Sequence, residues 1–138
     1  VDIIIGGHPH VVQPMELIRA EGSEHTTICI YSLGNAVSNQ RRELISSARK
    51  GHTEDGVMFS YTLKKSDGKV SLQSVDVIPT WVHKYSSSGW KYTIYPIDGT
   101  NYSNVSSKLK ESYSRTEAII KPGLTECQTH LGCEITFK

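Results

Sequence analysis

The chain has 138 residues, 37% of them hydrophobic and 21% charged, with 15 Lys and Arg against 14 Asp and Glu. That is room for one domain with one substantial core. A net charge of +1 argues against a nucleic-acid or polyanion binder that works by bulk electrostatics. The longest apolar run, residues 1–5 interrupted by Asp2, is far short of the ~20 residues that span a bilayer.

Residues 1–5 form a β-branched run ended by Gly6-Gly7, the pattern of a strand buried on both faces. Because the first residue is not Met and this strand begins at once, the sequence is expected to be the carboxy-terminal piece of a longer protein. Residues 15–20 read as a second short strand, followed by a turn at Glu21-Gly22-Ser23, and residues 26–33 as a third, closed by Gly34-Asn35. Residues 36–55 are polar and weakly patterned, an excursion with a short helix expected around residues 41–48. Such a long connection is either functional or disordered. Its basic residues Arg41, Arg42, Arg49 and Lys50 belong to a substrate-contacting flap on one reading and to a solvated loop on the other.

Strict alternation then marks a hairpin. Val57, Phe59, Tyr61 and Leu63 share one face, Asp67-Gly68 supplies the turn, and alternation resumes from Val70 to Ile78. Pro79 is expected to limit the ladder. Ser86-Ser87-Ser88-Gly89 makes a further turn, and residues 90–97 return as a strand with Pro96 at its end or on an edge. The period changes over residues 103–120, which predict a helix with Ser103 as its cap, Pro122-Gly123 as its stop and a Glu111–Arg115 pair on its surface. Cys127 and Cys133 flank a short loop and are read equally as a local disulfide or as two ordinary thiols. His130 between them makes only three potential metal ligands.

The chemistry concentrates at Gly6-Gly7-His8-Pro9-His10. In α/β sheets, ligands gather at the carboxyl ends of strands, and paired glycines let a backbone approach what binds there. Pro9 fixes its own φ and presses His8 toward an extended conformation. Two imidazoles two residues apart on a stiff segment suit a metal site, neutral imidazole being the commonest protein ligand for ions of the Zn, Mn and Fe type. The alternative is a surface loop with two solvated histidines.

These residues resemble a family. The run from Asp2 through Gly6-Gly7-His8-Pro9-His10 to Gln13-Pro14-Met15-Glu16, followed by Ser32-Leu33-Gly34-Asn35, is similar to the capsule-synthesis (CapA, or poly-γ-glutamate accessory, PgsA-like) proteins, relatives of the calcineurin-like metallophosphoesterases. Ile78-Pro-Thr-Trp-Val82 and Ser112-Tyr-Ser-Arg-Thr116 look like later parts of some members. The resemblance spans residues 1–124, the carboxy-terminal portion of a CapA-like domain, and leaves residues 125–138 unassigned. It implies an α/β fold, the carboxy-terminal part of a metallophosphoesterase-like α/β sandwich, mostly strands and hairpins with one late helix.

By the same resemblance, His8 and His10 match the Gly-His-x-His motif in which each histidine binds one ion of a two-metal centre. Asn35, Gln13 and Glu16 become candidates for substrate contact or support of the site, Glu16 being read equally as a surface carboxylate. The implied cofactors are divalent ions of the Mn, Zn, Fe or Mg class. The implied role is a cell-surface accessory protein of capsule or poly-γ-glutamate synthesis, anchored to the membrane through a segment outside this chain. Its partners would be an anionic capsule polymer or a small phosphoester, with other capsule-synthesis membrane proteins and without nucleic acid. A metal-dependent hydrolase working through two metals in the full-length protein, and a purely structural subdomain, are the competing readings. The superfamily's Asp-x-His, Gly-Asp and Asn-His motifs do not occur in the sequence. A catalytic metal needs about three protein ligands plus an open position, so the isolated chain is expected to be inactive.

Overall fold

The computed structural model describes residues 1–41 and 51–138. The helix expected around residues 41–48 and the basic residues Arg42, Arg49 and Lys50 lie outside the described residues, Arg41 excepted. The fold is mixed α/β, mostly strands in two sheets with one late helix, as the sequence implies. The first sheet contains β1 (Ile3–Ile5), β2 (Met15–Arg19) and β3 (Thr26–Ile30) in the order β1-β3-β2, with β1 parallel and β2 antiparallel to β3. The expected burial of β1 on both faces does not hold. It is an edge strand, with Ile4 42% and Ile5 54% exposed. A β-branched run specifies extended backbone, but burial depends on what packs against it.

The second sheet is built on the hairpin of β4 (Asp55–Ser66) and β5 (Lys69–Ser86). Asp67 and Gly68 both take positive φ (52° and 77°), the two-residue turn whose twist matches antiparallel strands. The register slips between Thr62 and Leu63. This bulge makes Val75 and Val77, opposite Tyr61 and Phe59, the core face, instead of Ser74, Asp76 and Ile78. Pro79 does not end the ladder, because β5 runs on to Ser86. The carbonyl of Pro79 still accepts from the Ile97 N–H at 2.8 Å. The far edge of β5 takes β6 (Trp90–Pro96), antiparallel along Thr80–Ser86, and β7 (Glu134–Phe137), parallel along Ser74–Val77.

Helix α1 (Ser106–His130) is longer than its sequence signals. Val105 stands at its N-cap with no side-chain cap, and the helix runs through Pro122. Both Pro122 and Ala118, four residues back, are exposed. The carbonyl that loses its donor therefore faces water. The buried stripe Leu109, Ser112, Thr116, Ile120, Gly123, Leu124 and Cys127 continues across the proline and holds the helix together.

Gly123 is a contact and not a stop: a β-carbon there would lie 1.9 Å from the Met15 carbonyl oxygen on β2. Residues 125–138, unassigned from sequence, complete α1 and form β7. Cys29, Cys127 and Cys133 are free thiols. The main core joins Met15, Leu17, Ile28 and Ile30 of the first sheet to Val57, Val75, Val77 and Ile135 of the second, with Ile120, Leu124 and Cys127 of α1 packed among them. Each such aliphatic side chain contributes about 1.5–3 kcal/mol on burial.

Candidate functional site

The loop that leaves β1 is pinned from both ends. The Gly6 N–H donates to the Ile30 carbonyl at 2.7 Å, and the Gly6 carbonyl accepts from the Leu33 N–H at 3.3 Å. A β-carbon on Gly6 would lie 2.2 Å from the Tyr31 carbonyl oxygen, whereas Gly7 faces open space. The first glycine therefore serves contact with β3, and only the second leaves room for a ligand. Residues 33–35 tie the two sheets together: Leu33 bridges Val12, Gly34 bridges Gly56, and the Val57 N–H donates to the Leu33 carbonyl at 2.9 Å.

His8 and His10 are both exposed and both have positive φ, 107° and 61°. His8 is therefore not in the ordinary extended region that Pro9 was expected to impose. The chain must reverse within three residues, because Gly6 is held by β3 and His10 by Asn35. A non-glycine residue in this region costs about 1–3 kcal/mol and persists only where its surroundings enforce it. The other two such residues among those described, Asp67 and Ser88, sit in hairpin turns.

Asn35, only 8% exposed, is the clamp. Its Nδ2 donates to the carbonyls of Thr53 (2.9 Å) and His10 (3.2 Å), and its Oδ1 lies 2.8 Å from His10 Nδ1. Two carbonyl acceptors fix which end of the amide is the donor, so Oδ1 must accept from a protonated Nδ1. His10 is thereby held as the tautomer whose Nε2 carries a free lone pair on an exposed ring. A ligand imidazole needs such a fixed partner on its other nitrogen.

The remaining candidates lie apart from this pair. Gln13 is half-buried and is held through its backbone N–H, which donates to the Ser32 carbonyl at 3.1 Å. Glu16 is exposed on β2 and accepts from the Tyr31 hydroxyl at 2.5 Å. That bond, reinforced by the carboxylate charge, raises the Tyr31 pKa above its usual value. No hydrogen bond or ion pair links the side chains of Gln13 or Glu16 to the histidines among the described residues. Nor, among those residues, do three His, Cys, Asp or Glu side chains form a metal-holding group. The loop can supply imidazole nitrogen to an ion but cannot by itself complete its coordination.

One polar cluster escaped the sequence. Asp55, at the start of β4, is buried, and its carboxylate accepts from Arg115 Nε (2.8 Å), Arg115 Nη2 (2.7 Å) and Ser112 Oγ (2.7 Å). The sequence pairs Arg115 with Glu111, but that contact is 4.0 Å long. The hydrogen bonds from Asp55, with its charge, outweigh desolvation and raise the Arg115 pKa further above its ordinary value. Helical spacing points only to near neighbours, and the pair spans sixty positions. The polar Ser112 and Thr116 inside the buried stripe of α1 were the available hint.

Residues 1–40 match the family model described as bacterial capsule synthesis protein PGA_cap. The PGA biosynthesis protein CapA of Bacillus subtilis (strain 168) is 34% identical over 77 residues, 55% of this chain and 17% of that protein. The chain thus spans less than a fifth of the length of the relative it matches. No solved structure matches the chain. The family-model match takes in the clamped Gly7-His8-Pro9-His10 loop and Asn35 together, so the likeness to capsule synthesis proteins of the CapA kind falls on the site itself.

Proposed function

We propose that the chain is part of a cell-surface accessory protein of capsule or poly-γ-glutamate synthesis, in which His8 and His10 form half of a divalent-ion site. The framework is metallophosphoesterase-like on this reading, and the other ligands come from chain outside these 138 residues. The observation that carries it is the Asn35 clamp, which fixes the His10 tautomer and leaves Nε2 free on the exposed side. An ion of the Zn or Mn class held there would supply positive charge able to bind polymer carboxylates. His8 and His10 would be ligands, Asn35 a positioning residue, and Gln13 and Glu16 supports of the flanking loop and strands. On this reading the anchor to the membrane is a segment outside these 138 residues; among the described residues no helix is long and apolar enough to cross one.

The second reading, a two-metal hydrolase of phosphoesters in the full-length protein, draws on the same Gly-His-Pro-His loop at the carboxyl end of a strand. Metal analysis of the full-length protein, purified without chelator or affinity tag, tests the ion site. Bound metal should be present and should fall sharply with either His8→Ala or His10→Ala. Equal metal in both variants would overturn it. Retention of polyglutamate that chelator abolishes, without phosphoesterase turnover, would favour the accessory role over the hydrolase.

A further inference from the structure

A second place in the molecule has unfinished chemistry. Arg41, the distal half of β5 and the first half of α1 enclose a cleft of about 400 Å³ that shares no lining residue with the histidine loop. Its walls carry both of the chain's tryptophans, Trp81 and Trp90. Arg41 is only 8% exposed. Its Nη1 reaches the Val82 carbonyl at 3.4 Å, while its Nη2 has no hydrogen-bond partner among the described residues. His83 Nδ1, on the same lining, is likewise buried without a hydrogen-bond partner among the described residues.

The cations of the cleft divide into two kinds. Arg115 is neutralised by Asp55, and Lys108 by Glu111 at 3.2 Å. Among the described residues Arg41 and Lys84 form no ion pair. Lys84 instead donates to Asn39 Oδ1 at 2.8 Å and stands 4.3 Å from the centre of the Trp90 ring. The acids on the lining, Glu54 and Glu111, each stand 4.0 Å from Arg115. A buried guanidinium with an unpaired N–H is costly, and such a group marks a missing acceptor.

We propose that this cleft binds a carboxylate-bearing ligand, its carboxylate received by Arg41 and Lys84 and its apolar portion lying on Trp81 and Trp90. Guanidinium and ammonium donors are matched to a carboxylate by charge-assisted hydrogen bonds. The nearby carboxylates of Glu54 and Glu111 disfavour a more highly charged head such as a phosphate dianion. The site does not depend on a metal at the histidine loop.

Because both tryptophans line the cleft, intrinsic fluorescence of the 138-residue chain reports on it directly. Titration with hexanoate should give a saturable change that hexanamide, its uncharged analogue, does not give. Arg41→Gln should weaken hexanoate binding about tenfold or more, and Lys84→Gln about threefold, from the loss of one charged donor each. His8→Ala should leave it unchanged. If circular dichroism shows that Arg41→Gln does not fold, Lys84→Gln decides. No saturable change, or one that persists undiminished in the folded variants, overturns the proposal. Tighter binding of inorganic phosphate than of hexanoate overturns the assignment to carboxylates.

Discussion

Asp55 and Arg115 form a bidentate pair in which the carboxylate is buried and the guanidinium half-buried, with Ser112 completing the carboxylate's shell. Two parallel N–H···O bonds fix the orientation of α1 on the start of β4 as well as contributing energy. Asp55→Asn removes the charge and leaves Arg115 uncompensated. The expected loss is about 3 kcal/mol, at the low end for broken buried pairs because Arg115 keeps some access to water. Adding Arg115→Met should restore part of it, and urea unfolding of the two single variants and the double variant would show that coupling. The thiols separate just as clearly. Burial foremost pushes Cys127 up to about 11, whereas Cys133 is also raised but only half-buried. Cys133 should therefore be alkylated in the native protein, while Cys127 and Cys29 react only as the chain unfolds; mass mapping after brief iodoacetamide treatment checks this. The folded state keeps the Cys127 proton that an unfolded thiol releases near 9.0. Its contribution to stability is thus complete below that pH and is lost as pH rises through about 11, so thermal melts should fall in this alkaline window and not below it.

At the scale of elements, packing decides the sign of familiar substitutions. Replacing glycine by alanine inside a helix ordinarily gains about 1 kcal/mol. Gly123→Ala should instead destabilise by about 3 kcal/mol, because the new methyl would overlap the Met15 carbonyl and push α1 off β2. Thermal unfolding of this variant beside Ala118→Gly, an exposed position on the same helix, separates the clash from the propensity. The elements that sequence made legible were those specified locally. The alternation and the Asp67-Gly68 turn located the long hairpin, and three short strands fell within a few residues of their places. Prolines misled twice: Pro79 is buried in the sheet and its carbonyl still pairs with the Ile97 N–H, while at Pro122 the carbonyl that loses its donor lies on the exposed side of α1 and the buried stripe carries the helix on. The bulge near Thr62 also escaped, since a slip in register leaves no mark on composition. At the candidate site, sequence indicated the Gly-His-Pro-His loop and Asn35 as separate motifs. Their hydrogen bonds, and the positive φ at both histidines, arise only when β1, β3 and the start of β4 come together.

For the whole molecule, the two imidazoles of the loop are too few for a tightly held two-metal centre. Isothermal titration of the 138-residue chain with Mn²⁺ or Zn²⁺ should show no submicromolar binding at two sites. Such binding would mean that the chain carries a complete ligand set. The exposed apolar side chains Val1, Ile4 and Ile5 along the β1 edge are the surface most open to further strand pairing or packing. The placement of α1 bears on how the chain comes apart. Its single buried stripe packs into the core shared by both sheets, whose backbones are joined by the Gly34–Gly56 bridge and the neighbouring Leu33–Val57 bond. Freeing the helix would withdraw the common wall from both halves at once, so neither sheet can outlast the other and denaturation should register as one concerted collapse.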